Sequence, residues 1–258
     1  EIVVTRSSKF SSPTLYNDLL HLFNTGKVVK EYSEVYEELS GKVYISLKNK
    51  DLYKQFPFSE HNVKPLFKLV HRMFDIIVSI IGLLVMLLMI PFLVLINFFA
   101  NKGPLFYKQE RVGKKGKLFS IIKLRSMVID AERNGAVWAD KNDSRVTPFG
   151  KFLRKTRLDE IPQFFNILKG EMSIIGPRPE RSVFVDQLAN KIPFYPTRHI
   201  IKPGLTGWAQ VNTSYGASVD ESLLKLQYDL YYIKHRNLFL DFNIIMKTLT
   251  TVLFFRGQ

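Results

Sequence analysis

The sequence predicts an α/β chain in which a short β-α-β-α-β unit precedes a mainly helical, membrane-associated domain with a re-entrant membrane helix. Three observations lead there. Strand-like and helix-like segments alternate over residues 1–50, an uncharged apolar run fills Ile76 to Ile96, and the rest is patterned for helices whose apolar faces sit among Lys and Arg. At 258 residues the chain can hold one large domain or two small ones, with a real core. The boundaries expected are 1–62 for the leading α/β part with its linker, 63–102 for the membrane helix and 103–258 for a cytosolic part with interfacial helices.

In the leading part, EIVV is a short strand, and Ser12 followed by Pro13 makes a helix cap and first turn. Gly26 stops that helix, VVKEYSEVYEELSG repeats the strand–helix–Gly order, and VYISL is a third strand. Three strands joined by two crossover helices look like the tail of a Rossmann-like sheet. No GxGxxG lies here, so no dinucleotide site is expected. Residues 51–63 are the expected linker. Residue 1 is Glu with no signal pattern after it, so the chain is expected to be the C-terminal part of a longer protein.

The run IIVSIIGLLVMLLMIPFLVLI carries only Ser79 as a polar side chain. As a helix it would be roughly 32 Å long, close to the hydrocarbon thickness. A straight span is one solution. Against it, Lys64, Lys68 and Arg72 precede the run, while Lys102, Lys108, Arg111, Lys114, Lys115 and Lys117 follow it. The positive-inside tendency puts both flanks on the cytoplasmic side, and Pro91 removes a backbone donor inside the run. A helix that enters, bends at Pro91 and returns satisfies both. Arg72 and Asp75, three apart, are expected to pair at the boundary.

Beyond it, residues 101–125 hold eight Lys/Arg and one acid, Glu110, interleaved with Phe106, Tyr107 and Phe119. Beside a membrane helix that reads as a headgroup contact. PFGKFLRKTR sets Phe149, Phe152 and Leu153 among cations, as an interfacial helix or a core helix with a basic face. LFLDFNIIMKTLTTVLFFR, residues 238–256, suits the bilayer surface and a buried C-terminal helix about equally.

The charge balance, 37 Lys+Arg against 23 Asp+Glu for a net +14, favours anionic partners. With no cysteine there is no disulfide, thiolate nucleophile or Cys-based zinc site, and the five histidines form no HExxH pair. Attention falls on TRLDEIPQFFN. Pro162 is tolerated only near a helix start, so a helix should begin at about Leu158–Glu160 and run through QFFNILK. That seats Asp159 and Glu160 where free N–H groups favour negative charge. Taken alone, such a pair reads first as ordinary capping. Nearby, Gly176-Pro177-Arg178-Pro179 holds a forked cation between two restricted residues. KPGLTGWAQVN adds glycines for close backbone approach, with Trp208, Gln210 and Asn212 as a stacking face and amides.

Taken together these blocks resemble the bacterial sugar transferase family, the monotopic polyprenyl-phosphate phosphoglycosyl transferases. The likeness runs from about Lys68 to Phe255 and is carried by HRMFD, GPLFYKQERVGKKGKLFSIIKLRSM, TPFGKFLRKTRLDEIPQFFNILKGEMSIIGPRP, KPGLTGWAQVN and YDLYYIKH. The front part is similar to the end of the Rossmann-like domain of long-form members. The resemblance implies that Asp159 is the nucleophile of an Asp-Glu dyad and that Glu160 assists around Mg²⁺, with both carboxylates as metal ligands. It also implies a re-entrant helix broken at a Ser-Pro pair; here Ile90 precedes Pro91, so the hydroxyl that would serve the interrupted backbone is missing.

The activity implied is transfer of a sugar 1-phosphate from a UDP-sugar, UDP-glucose or UDP-galactose, to undecaprenyl phosphate, with UMP released. The place implied is the cytoplasmic face of the bacterial inner membrane, at the start of exopolysaccharide, capsule or O-antigen synthesis. An ionised carboxylate needs no general base to attack phosphorus. Anion meeting anion does call for fixed cations, and Arg111, Lys123, Arg125, Arg145, Arg154 and Arg178 are the candidates, Arg178 first, with Pro177 shaping its loop. Inner-membrane phospholipids are expected partners, nucleic acid is not, and a homodimer is left open. The competing readings are a membrane-bound Mg²⁺-dependent phosphodiesterase and a non-enzymatic membrane scaffold.

Overall fold

The computed structural model describes residues 2–4, 13–45, 64–133, 135, 137–138, 143–213 and 218–253. The chain divides into two compact units, Glu1–Asn49 and Lys50–Gln258.

In the first unit, β1 (Ile2–Val4) pairs in parallel with β2 (Val29–Glu31), in the register Ile2↔Val29 to Val4↔Glu31. Helix α1 (Pro13–Asn24) connects them and α2 (Tyr32–Ser40) follows β2. Gly26 and Gly41 take left-handed φ values of 72° and 64°, and Gly41 N–H closes α2 on the Glu37 carbonyl at 2.9 Å. The third expected strand is not formed at Val43–Ile45, which join no ladder among the described residues. The rest of that strand, the Ser12 cap and the 51–63 linker lie outside the described residues.

The second unit is organised around α3 (Pro65–Ala100), a 36-residue helix. It is long and apolar enough to cross a membrane. Leu66, Leu69, Met73, Ile77, Leu84, Leu88 and Leu95 are exposed at helical spacing, an outward stripe along its length. The opposite side lies on the rest of the unit. Arg72 donates to the carbonyls of Ile167 and Leu168 at 2.7 and 2.8 Å, and Asp75 accepts from Ser173 Oγ and Ile174 N–H at 2.9 and 2.8 Å. The expected Arg72–Asp75 pairing therefore gives way to backbone groups that burial would otherwise leave unmatched. Gly82 sits against the Phe164 ring, where a Cβ would come within 2.3 Å. Leu93 joins Leu124, Phe149 and Leu153 in a buried cluster, and Asn97 Nδ2 donates to the Gly103 carbonyl at 2.9 Å. From Arg72 to Asn97 the helix is about 38 Å long, and one unit meets it throughout. The helical path continues through Pro91.

The basic stretch after α3 folds as an antiparallel hairpin of β3 (Phe106–Val112) and β4 (Leu118–Leu124), a pairing the charge pattern had hidden. Lys115 and Gly116 turn it with φ of 57° and 75°. Phe119, Ile121 and Leu124 face the core, while Phe106 and Leu118 stay exposed. Helix α4 (Pro148–Lys155) is capped by Thr147 Oγ1, which accepts from Gly150 N–H at 3.0 Å. It buries Phe149 and Leu153 and exposes Phe152, so its apolar residues are divided between core and surface.

A 3-10 turn over Leu158–Gln163 leads into α5 (Phe164–Lys169), which ends at Gly170 with φ of 84°. Strands β5 (Ser173–Ile175) and β6 (Gly204–Thr206) run parallel, with α6 (Ser182–Lys191) and a 3-10 turn (Tyr195–Ile200) between them. The chain closes with α7 (Trp208–Asn212), α8 (Val219–His235) and α9 (Leu238–Leu253). Ser218 and Glu221 form a reciprocal capping box on α8. In α9, Leu240 and Ile244 are buried while Phe239, Phe242, Met246 and Leu249 are exposed, so the helix packs one apolar face on the unit and leaves a second one open.

Candidate active site

The site is built on the short turn between α4 and α5. Arg157 reverses the chain with φ of 59°, a sparsely populated conformation for a side-chain-bearing residue. Pro162 restrains the segment, and Glu160 N–H returns to the Arg157 carbonyl at 3.1 Å. The helix expected from Leu158 therefore begins as a tighter 3-10 turn and becomes α-helical only at Phe164.

This places Asp159 and Glu160 side by side and buried, 7% and 6% exposed, in opposite circumstances. Glu160 is gripped by cations. Its Oε1 accepts from Arg178 Nη2 at 2.9 Å and Lys123 Nζ at 3.2 Å, and its Oε2 lies 3.8 Å from Arg157 Nη1. Burial alone would raise its pKa, but Arg178, Lys123 and Arg157 outweigh burial and hold the carboxyl well below its ordinary range. Asp159 has no such grip, and its buried Oδ1 takes no hydrogen bond from the described residues. Burial, then the neighbouring Glu160 charge, push its pKa up to about 6, against the opposing pull of Lys123, Arg154 and Arg157. Asp159 is still mostly ionised at pH 7, and of two equally buried anions it is the one less satisfied by partners. Those are properties suited to a nucleophile.

Arg178 reaches Glu160 from a tightly fastened loop. Gly176 N–H donates to the Thr206 carbonyl and Gly204 N–H to the Pro177 carbonyl, both at 2.9 Å. A Cβ on Gly204 would fall 2.1 Å from the Gly176 nitrogen, so only glycine admits this approach. Downstream, Arg111 Nη1 donates to the Pro179 carbonyl at 3.2 Å and lies 3.6 Å from Glu180 Oε2. Behind the loop, Arg198 Nη2 donates to the Arg178 carbonyl at 3.1 Å and to Asp229 Oδ2 at 2.7 Å.

Of the residues singled out from sequence, Glu160, Lys123 and Arg178 meet directly, with Asp159 next to Glu160 in the turn. Arg154 adds to the field on Asp159 while its Nε donates to Ser126 Oγ at 3.0 Å. Pro177 and Arg111 shape the loop. The other candidates have their contacts away from the acid pair. Arg125 is 6% exposed and holds the connection from α3 to β3, donating to the carbonyls of Asn101, Lys102, Pro104 and Met127 and to Asn101 Oδ1. A buried cation needs this many acceptors, and none of these bonds involves the acid pair. Arg145 forms a two-point pair with Asp143 at 2.8 and 2.6 Å. Trp208 stacks on Tyr231 at 6.1 Å under Lys247, Gln210 Nε2 donates to the Leu205 carbonyl, and Asn212 bridges the Trp208 carbonyl and Lys247. They knit α7 to β6, α8 and α9.

Sequence reasoning passed over Arg198 and Asp229. A signal for Asp229 existed: with Leu226, Leu230 and Ile233 it lies on the buried stripe of α8, where a lone carboxylate implies a cation.

Among the described residues, no group of three or more His, Asp and Glu converges as a metal cage. For Mg²⁺, which binds through one or two carboxylates and takes its other ligands from water and phosphate, Asp159 offers the unmatched Oδ1, whereas Glu160 is already held by Arg178, Lys123 and Arg157.

The family model described as bacterial sugar transferase matches residues 66–255. A UDP-N-acetylgalactosamine-undecaprenyl-phosphate N-acetylgalactosaminephosphotransferase of Aeromonas hydrophila is 44% identical over 227 residues, covering 87% of this chain and 52% of that protein. A UDP-glucose:undecaprenyl-phosphate glucose-1-phosphate transferase of Xanthomonas campestris is 44% identical over 157 residues, covering 60% of this chain and 32% of that protein. An undecaprenyl-phosphate galactose phosphotransferase of Salmonella typhimurium is 35% identical over 199 residues, covering 70% of this chain and 40% of that protein. The chain thus spans about half the length of the first of these relatives and less of the others.

Proposed function

The chain belongs to the bacterial sugar transferase family, and from that premise we propose that it moves a sugar 1-phosphate from a UDP-sugar to undecaprenyl phosphate. The observation that carries the reading is the asymmetry of the acid pair. One carboxylate is saturated by cations; its neighbour is buried, ionised and short of partners.

The reaction proceeds in two displacements at one phosphorus. Asp159 attacks the sugar-bearing phosphorus of the donor, the bridging P–O bond breaks, and UMP leaves. A phosphate oxygen of undecaprenyl phosphate then attacks the same phosphorus, the acyl phosphate bond breaks, and the Asp159 carboxylate is restored. Arg178, Lys123, Arg157 and Arg154 offset the negative charge where these anions meet. Mg²⁺ held at Asp159 Oδ1 would supply further neutralisation of the diphosphate.

The docking of α3 supports the membrane geometry. A helix held by one unit from Arg72 to Asn97 presents its apolar stripe to lipid without carrying its ends to opposite sides. Together with the cations on both flanks, this supports a re-entrant helix in the inner membrane, with the acid pair on the cytoplasmic face. The parallel β1–β2 pair is assigned to the end of a Rossmann-like domain. For the donor, the relative covering most of this chain puts UDP-N-acetylgalactosamine beside the UDP-glucose and UDP-galactose expected from sequence.

The test is UMP release by purified protein with undecaprenyl phosphate and Mg²⁺, across a panel of UDP-sugars, with mass spectrometry of the quenched enzyme. Release from one donor and a phosphosugar adduct on Asp159 are expected. An adduct on another residue, or turnover that survives Asp159→Asn, overturns the mechanism. Free sugar phosphate as the product favours a phosphodiesterase.

A further inference from the structure

We propose that Arg198 is a positioning residue of this site, acting through the Arg178 backbone to aim the Arg178 guanidinium at Glu160. The inference rests on the transfer reading above and deepens it.

Arg198 is 5% exposed, and its planar fork is shared among three places in the fold. Nε and Nη2 donate to Asp229 Oδ2 of α8 at 3.1 and 2.7 Å, Nη1 donates to the Tyr195 hydroxyl at 2.7 Å, and Nη2 also donates to the Arg178 carbonyl at 3.1 Å. A buried ion pair is weak evidence of stabilisation in itself, because desolvation opposes the attraction. What sets this one apart is where its remaining donor goes. The Pro177 carbonyl is held by Gly204 N–H, and the Pro179 carbonyl by Arg111. The Arg178 carbonyl between them is held by Arg198. Prolines restrict the chain on both sides of Arg178, so fixing these three successive carbonyls leaves its Cα–Cβ direction little freedom. That direction delivers Nη2 to Glu160 at 2.9 Å. Lysine cannot replace the fork, since one ammonium cannot serve three acceptors spread across a plane.

The assembly gives YPTRH (195–199) and YDLYYIKH (228–235) a part in the site through Arg198 and Asp229. Asp229 orients Arg198, Arg198 orients Arg178, and Arg178 holds Glu160 beside Asp159.

The experiment is a double-mutant cycle on the single-turnover rate of Asp159 adduct formation, measured on the folded fraction at saturating UDP-sugar. Arg198→Lys is expected to lower that rate about 10- to 100-fold, as misplacement of a contact group by about 1 Å does. In an Arg178→Ala background the same change should cost less than about threefold, since its effect is already lost. A loss that multiplies equally in both backgrounds, or an unchanged rate, overturns the positioning role. Asp229→Asn, measured identically, should show the same non-additivity. If both variants are unfolded, the assembly serves the fold alone and the proposal falls. Absence of any adduct in the wild type refutes the transfer reading and this inference with it; an adduct with multiplicative losses refutes this inference only.

Discussion

Replacing Asp159 by Asn should make the protein more stable while removing its activity, and the gain should depend on pH. The folded carboxyl titrates at about 6 against an ordinary 3.8. At about 1.4 kcal/mol for each unit, ionising it costs the folded state about 3 kcal/mol. The pH window follows from the direction of the change. Below about pH 3.8 the carboxyl is protonated in folded and unfolded chains alike, and no cost arises. Between there and about pH 6 the unfolded chain releases its proton while the folded one keeps it, so the penalty grows. Above pH 6 both are ionised and the penalty is constant. Asparagine has nearly the same shape and no charge. Allowing for its own buried amide, Asp159→Asn should gain about 1–3 kcal/mol at pH 8 and little from this source at pH 4. That corresponds to roughly 3–10 °C in Tm for a domain of this size.

The assay is thermal and denaturant unfolding of both proteins in detergent with EDTA, so that no divalent ion offsets the charge, from pH 4 to 8. A variant that is less stable at pH 8, or whose advantage is the same at every pH, would refute the account of Asp159 as a strained anion. It would favour an ordinary role for the charge at a helix start, where a carboxylate is stabilising and its loss destabilising.

Adduct formation should follow the same group: its rate should fall about tenfold per unit of pH below about 6 and level off above, whereas a flat profile down to pH 5 would exclude Asp159 as the attacking anion. Glu160, held far lower by Arg178, Lys123 and Arg157, should contribute no second step in that range. Arg125→Ala should lose about 3 kcal/mol or more in chemical denaturation by stripping five acceptors of their donor, with KM for the UDP-sugar on the remaining folded enzyme unchanged; a raised KM with normal stability would restore it to the substrate site. Gly82→Leu should displace Phe164, at the start of the helix that follows the acid pair, and lower both Tm and turnover, whereas turnover at the wild-type rate would show that the α3–α5 contact does not set the site.

What could be read in the sequence was what local chemistry dictates. Pro162 sets the helix start, the apolar run of α3 declares itself by length, and Pro177–Pro179 mark a restricted cation, because each acts within a few residues of itself. What could not be read was which cation meets which anion. Arg125, Arg145 and Arg178 look alike in one dimension, yet one is spent on three carbonyls of the α3–β3 connection and that of Met127, one on Asp143, and one on Glu160. The hairpin of β3 and β4 was obscured for a related reason: Lys108, Arg111 and Lys123 break up its alternation, and one of them, Lys123, is turned inward to meet Glu160.

The same logic accounts for the amides and aromatic of KPGLTGWAQVN. Such residues serve a ligand or a neighbouring helix with the same groups, and only the approach of α8 and α9 decides between the two. A motif shared along a family therefore marks a position under constraint without saying whether the constraint is chemical or architectural. In this chain the two kinds are connected. The glycines at 176 and 204 let two backbones touch, that contact fastens Pro177, and the fastened loop delivers Arg178 to a carboxylate. On the proposed mechanism, reaction at Asp159 depends on the packing of Gly176 against Gly204, and a substitution as small as Gly204→Ala, which brings a methyl within 2.1 Å of the Gly176 nitrogen, should silence the site without touching any charged group.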